Sequence, residues 1–213
     1  MIERLQTLPL LLGLGREELL RIAECMELDF RKCKPRSVLA RQGERAKEAV
    51  YLLRGSMTAE RRFDDTGLRM TEQVDDNPWL IEPENLWGRK QTYLRTYTLL
   101  TEGSLLIMRK QQIHRLATEY DAVMANLLSL VCTRLSRAAD YAAQPLPDTV
   151  DERLLNFLKA NALTPTGEKT LLGTMPQIAT QIATTRLNVS TTLHRWEDEG
   201  RAQLGHKSIV INL

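Results

Sequence analysis

From Glu27 to Met108 the apolar residues come in short runs separated by Gly, Pro and Asp, a texture that predicts strands rather than helices. Ser37-Val-Leu-Ala40, Ala49-Val-Tyr-Leu-Leu53, Met57-Thr-Ala59, Tyr97-Thr-Leu-Leu100 and Leu105-Leu-Ile-Met108 each fit a strand of a few residues. Gly43, Gly55, Gly67 and Gly103 stand between them as turn residues, and Asp64-Asp-Thr-Gly67 reads as a hairpin turn. Many short strands with regular turns predict an antiparallel sandwich or roll. Ahead of it, residues 16–26 suit a helix with Leu19, Leu20, Ala23 and Met26 on one face.

After Gln111 the spacing becomes helical and stays so to about Ala143. Met124, Leu128, Val131, Leu135, Ala138 and Ala142 alternate steps of four and three, the seam of a heptad repeat. This predicts a dimerisation helix through Met124, Leu128, Val131 and Leu135; an amphipathic helix packed on its own roll would show the same pattern. Pro145 and Pro147 end the helix and mark a hinge. Helical spacing resumes from Val150 to Leu163, and Thr164-Pro-Thr-Gly167 closes it.

Two short helices and a strand follow. Thr174 is an N-cap with Gln177 three residues on, and Ile178, Ala179 and Ile182 form an apolar face. Ala183-Thr184-Thr185 interrupts, and Thr185 caps a second helix with Val189, Leu193 and Trp196 as its inner face. Gly200 sits where a left-handed C-terminal residue is wanted, and Gly205-His-Lys-Ser208 turns into Ile209–Leu213. This is the order of a winged helix-turn-helix, which places its second helix in a DNA major groove.

Gln177–Ala183, Thr185–Gly200 and Lys207–Ile211, together with Arg41-Gln-Gly-Glu44 and Val50–Gly55, resemble segments of the Crp–Fnr regulator superfamily. Thr185-Arg186 stands where that family opens its recognition helix with Ser-Arg, and Trp196-Glu-Asp-Glu-Gly200 where Leu-Glu-x-x-Gly closes it. The family's turn glycine is replaced by Ala183, and its apolar pair after the closing glycine by Arg201-Ala202. The resemblance implies an α+β chain: an amino-terminal antiparallel, jelly-roll-like β-roll with flanking helices (residues 1–117), a dimerisation helix and hinge (118–147), and a carboxy-terminal winged helix-turn-helix (148–213). It implies that Arg186, Leu187 and Thr191 meet base edges. Thr185 and His194 would contact phosphate, and Ser190 flanks the reading face.

The family's roll is a cyclic-nucleotide-binding fold, whose Gly-Glu pair and later Arg-Ser pair hold the ribose and phosphate. Neither pair is recognisable here. Pro83 follows Glu82, no glycine precedes it, and Tyr93-Leu94 occupies the Arg-Ser place. Arg95 is expected on the other side of its strand, and Arg89, Lys90 and Arg95 read as solvated charge or as receivers of some other anion. Trp79 and Trp87 could line an apolar effector pocket or pack in the core or an interface. Trp79, Trp87, Arg89 and Arg95 are thus the candidate effector contacts. Three cysteines fall short of the four thiolates of an iron–sulfur sensor, and His114 among polar neighbours reads as a surface residue.

Composition adds boundaries. A formal charge of +2 does not by itself argue for nucleic acid, and residues 148–213 hold seven Lys/Arg against seven Asp/Glu. No apolar run reaches the ~18 residues of a membrane span, and the short Leu8–Leu14 run lacks a cleavage-like site, so a cytoplasmic protein is expected; the family resemblance implies a bacterial-type regulator. No nucleophile–base pairing, phosphate-binding loop, metal spacing or cofactor motif points to an enzyme. The expected partners are a two-fold-symmetric DNA site, a second copy of the chain, RNA polymerase and an unidentified small-molecule effector other than cyclic AMP. The alternative is a cyclic-nucleotide-fold module that regulates a protein partner without binding DNA.

Overall fold

A computed structural model describes residues 2–75, 78–142 and 147–213. Helices α1 (Ile2–Gln6) and α2 (Arg16–Cys25) lead into strands β1 (Asp29–Cys33), β2 (Val38–Ala40) and β3 (Glu48–Arg54). Then come β4 (Met57–Arg62), β5 (Arg69–Val74), β6 (Trp79–Leu80), α3 (Glu84–Trp87), β7 (Thr96–Leu99) and β8 (Gly103–Arg109). Helices α4 (Lys110–Glu119), α5 (Asp121–Ala142) and α6 (Val150–Asn161) follow. The chain ends in β9 (Glu168–Leu172), α7 (Met175–Gln181), α8 (Arg186–Asp198), β10 (Ala202–Gly205) and β11 (Ser208–Asn212).

These elements form two units, one of residues up to 57 with 75–135, the other of 58–74 with 136–213. The division differs from the three consecutive segments expected. Residues 58–74, which the resemblance assigns to the roll, group here with the carboxy-terminal segment.

In the first unit β1-β8-β3-β6 form an antiparallel sheet, and β2 pairs with β7. Ala49 to Leu52 of β3 and Leu105 to Met108 of β8 are buried without alternation, so both strands read as continuous apolar runs. β1, whose sequence is Asp-Phe-Arg-Lys-Cys, carries no such run and escapes pattern reading. On α2 the buried positions are Leu19 and Ile22, with Met26 buried just past its end, while Leu20 is exposed. The helical stretch after Gln111 is two helices, because Tyr120 leaves the helical region at φ −128°, ψ 111°. Among the described residues of α5 only Val123 is buried. Met124, Leu128 and Leu135 are exposed and Val131 half-buried; Pro145 lies outside the described residues.

In the second unit the sheet runs β10-β11-β9-β5-β4, so the β4–β5 hairpin continues the wing's own sheet. Asp64–Gly67 forms its turn, with Gly67 at φ +70° donating its amide to Phe63 O at 2.7 Å. Phe63, Leu68 and Met70 of the hairpin pack in one core with Leu154, Leu158, Ile178, Val189, Leu193 and Trp196. Across this sheet Glu72 of β5 faces Lys169 of β9, both buried, with Lys169 Nζ donating to Glu72 Oε2 at 2.9 Å.

Candidate nucleic-acid interface

The helix-turn-helix is assembled by local rules. Gln177 Oε1 accepts the Thr174 amide at 2.7 Å at the start of α7, and Thr185 Oγ1 accepts the Asn188 amide at 3.2 Å at the start of α8. Between the helices Ala183 takes φ +52°, the left-handed turn that the family fills with glycine, and Arg153 donates to its carbonyl at 2.7 Å. Gly200 ends α8 at φ +71°.

The inner face of α8 is Val189, Thr192, Leu193 and Trp196, all buried. Trp196 Nε1 donates to Asp151 Oδ1 at 2.7 Å, and Arg195 forms an ion pair with the same carboxylate. Burial raises the Asp151 carboxyl, but those bonds outweigh it and hold the group below its ordinary range. Arg195 is thereby engaged in fixing α8, and Arg201 lies over the Trp196 ring at 4.5 Å while pairing with Glu199. The opposite face is open. Thr185, Arg186, Leu187, Thr191 and His194 are exposed and Ser190 half-exposed, with Leu187 the most exposed large apolar residue described, at 73%. His194 Nδ1 lies 2.7 Å from the Ser190 carbonyl, which leaves Nε2 outward. The six residues of the expected reading surface therefore occupy one helix end and one face. The wing turn adds His206 and Lys207, both exposed; sequence reading placed that turn without assigning it contacts.

The candidate effector residues differ in their surroundings. Trp87 and Arg89 are exposed, whereas the Trp79 ring has the Arg134 guanidinium carbon 5.5 Å from its own centroid. Arg95 corrects the sequence reading. It is buried, not solvated, because Tyr93, Arg95, Tyr97 and Leu99 alternate inward, and a residue two places from Tyr93 shares its face. Arg95 lies 3.6 Å from the fully buried Glu82. Glu82 also accepts from Asn85 Nδ2 at 2.6 Å, the Leu94 amide at 2.7 Å and the Tyr97 hydroxyl at 3.0 Å. Burial pushes the Glu82 carboxyl above its ordinary range, against these four partners, each of which favours the anion. The acid and the arginine of this region thus meet each other and protein groups.

Among the described residues there is no cluster of His, Cys, Asp and Glu that could hold a metal ion. None of their helices is long and apolar enough to cross a membrane. No family model matches the sequence, and no curated protein matches it. Solved structures do. The Thermus thermophilus catabolite activator protein is 19% identical with a TM-score of 0.52, covering 96% of this chain and 93% of its own. The amino-terminal domain of a transcriptional regulator from Streptomyces coelicolor A3(2) is 21% identical with a TM-score of 0.51, covering 68% of this chain and 98% of its own. The sensor domain of the transcriptional regulator DNR from Pseudomonas aeruginosa is 18% identical with a TM-score of 0.50, covering 63% and 93%. The roll, the long helix and the winged helix-turn-helix thus make up, along nearly the whole chain, the fold of the catabolite activator protein, as the resemblance to the Crp–Fnr regulators implies.

Proposed function

We propose that this chain is a homodimeric, sequence-specific DNA-binding transcription regulator whose effector is not cyclic AMP. The observation that carries the reading is the division of α8. Its inner face is buried and bonded in place, while Arg186, Leu187 and Thr191 stand exposed on the other, and Arg186 forms no ion pair among the described residues. An arginine so placed can take the O6 and N7 of guanine bidentately, Leu187 can pack on a thymine methyl, and Thr191 can reach a base or a phosphate. The preferred half-site is then A·T-rich with a single guanine, and two half-sites lie about one helical turn (~34 Å) apart. The open apolar stripe of α5 supports the second copy, since Leu128 at 55% and Leu135 at 66% exposure have little to bury them within the chain. The ion pair of Glu82 and Arg95, with Tyr97 donating to the same carboxylate, supports the exclusion of a cyclic phosphate, which would have to displace it. The exposed Leu187 also suits a protein groove, the second reading.

Selection of bound duplexes from a random library, with and without cyclic AMP, tests the proposal. A two-fold-symmetric site enriched equally in both arms is expected. Arg186→Ala should weaken it by about 1–3 kcal/mol and relax one base pair. Unchanged affinity and selectivity in that variant would move the protein-partner reading ahead, and enrichment only with cyclic AMP would refute the exclusion.

A further inference from the structure

The β4–β5 hairpin brings a further cation to the end of the sheet that carries the wing. Arg69 opens β5 in register with Leu172 of β9, and Leu172 is in register with Ser208 of β11, which in turn faces Gly205 of β10. At the ~4.8 Å spacing of neighbouring strands, the Arg69 backbone lies roughly 10 Å from Ser208, beside the wing turn. The hairpin turn is fastened there. Gln177 Nε2 of α7 donates to Thr66 O at 2.8 Å, and the Thr66 hydroxyl donates to Gln181 Oε1 at 3.0 Å. A Cβ on Gly173 would meet Leu68 Cδ1 and Gln177 Oε1, both at 2.8 Å, so the hairpin, β9 and α7 close on one another with no room to spare.

Two grooves meet along this sheet end. One, of about 250 Å³, runs from Arg186 at the start of α8 to Lys207 of the wing. The other, of about 470 Å³, runs from His206 and Lys207 past Thr174 and Gln177 to Gly67 and Arg69. They share Gly173, Thr174, Lys207 and Ser208, so a path leads without interruption from the reading helix across the wing to the hairpin. Arg186, His206, Lys207 and Arg69 line it, and no carboxylate does. Arg69 pairs with the half-buried Glu60 at 3.4 Å, the arginine itself being exposed; Asp64 and Asp65 of the turn are exposed but not among the groove's lining residues. Elsewhere in this unit Lys169 is engaged by Glu72, Arg195 by Asp151 and Arg201 by Glu199. Along the joined grooves themselves the lining cations are Arg186, Lys207 and Arg69, the last supplied by the hairpin and exchangeable from its surface pair with Glu60.

We propose that the hairpin is a third DNA-contacting element, in which Arg69 takes a backbone phosphate beyond the wing. A phosphate contact of this kind adds affinity without sequence preference, and its removal lowers the salt dependence by about one ion. This rests on the DNA-binding reading above. The experiment is a salt titration of binding to the selected duplex and to an unrelated one, by wild type, Arg69→Ala, Arg69→Lys and Arg186→Ala. Arg69→Ala should lose roughly three- to tenfold on both duplexes alike, with the log–log salt slope shallower by about 0.9. Arg69→Lys should keep the slope, because a point charge still serves one phosphate. A wild-type slope in Arg69→Ala, with Arg186→Ala impaired on the selected duplex alone, overturns the hairpin contact and leaves the reading helix standing. Loss on one duplex only in Arg69→Ala overturns it as well. Failure of the wild-type protein to distinguish the two duplexes is instead the failure of the DNA reading itself.

Discussion

Replacing Lys169 with Met removes the cation of a buried pair that joins the hairpin to the wing domain. Lys169 Nζ donates to Glu72 Oε2 at 2.9 Å, Thr164 Oγ1 at 2.6 Å and Thr166 O at 3.1 Å, and both members of the pair are almost fully buried. Methionine refills most of the apolar stem, so the cavity contribution is small. What remains is a buried carboxylate without its cation, a change that costs about 3–5 kcal/mol. Glu72 retains the Leu163 amide at 2.7 Å and the Thr164 amide at 3.3 Å, which places the expected loss at the lower end, about 3 kcal/mol. Against a total stability of about 5–15 kcal/mol that is a large fraction. Urea unfolding gives the loss as a shift in midpoint at constant slope. Hydrogen exchange should place the loosening in residues 69–74 and 168–172, the paired strands. The double variant Glu72→Leu/Lys169→Met removes both charges and should lose less than the two single changes summed, by about 1–3 kcal/mol. A single variant within about 0.5 kcal/mol of wild type, or strictly additive losses, would refute the assignment of this pair as the tie between β5 and β9.

Ala183→Gly relieves a side chain held at φ +52° and should stabilise the protein by about 1 kcal/mol, read as a raised unfolding midpoint. Leu128→Glu/Leu135→Glu places two carboxylates in the open stripe of α5 and should give monomers by light scattering; a persistent dimer would show that the copies meet elsewhere. The lowered Asp151 carboxyl fixes a pH dependence. Its contribution is fully present above the unfolded-state value of about 3.9 and fades as pH falls through the lower folded-state value. The stability difference between wild type and Asp151→Asn should therefore be constant from neutral pH down to that point and shrink below it. A difference that grows on acidification would contradict the sign.

Pattern reading succeeded where one residue's environment is set by its neighbours in sequence. Ala49–Leu52 and Leu105–Met108 are buried on both faces, so their apolar runs announce strands whatever they pair with. The faces of α8 follow from its own period, and Thr185 and Gly200 fix its ends. Arg95 lies two places from Tyr93, so alternation turns it inward with that residue and not to the other side of the strand. Its partner Glu82 was in view as a relic of a ligand site, but nothing local shows that Asn85, Leu94 and Tyr97 supply donors that a ligand would otherwise occupy.

β5 and β9 were not legible, for a different reason. Arg-Met-Thr-Glu-Gln-Val and Glu-Lys-Thr-Leu-Leu do alternate, but their inward positions include Glu72 and Lys169, which any hydropathy pattern assigns to solvent. Each charge can face inward only because the other faces it, 97 residues away along the chain. A buried ion pair is a joint property of two strands, and neither strand alone carries its signature. The same pair, with Met70 and Leu171 beside it in the core, holds the hairpin in the sheet of the wing. β5 and β9 are thus the strands through which residues 58–74 join the carboxy-terminal sheet, a membership that neither strand shows alone.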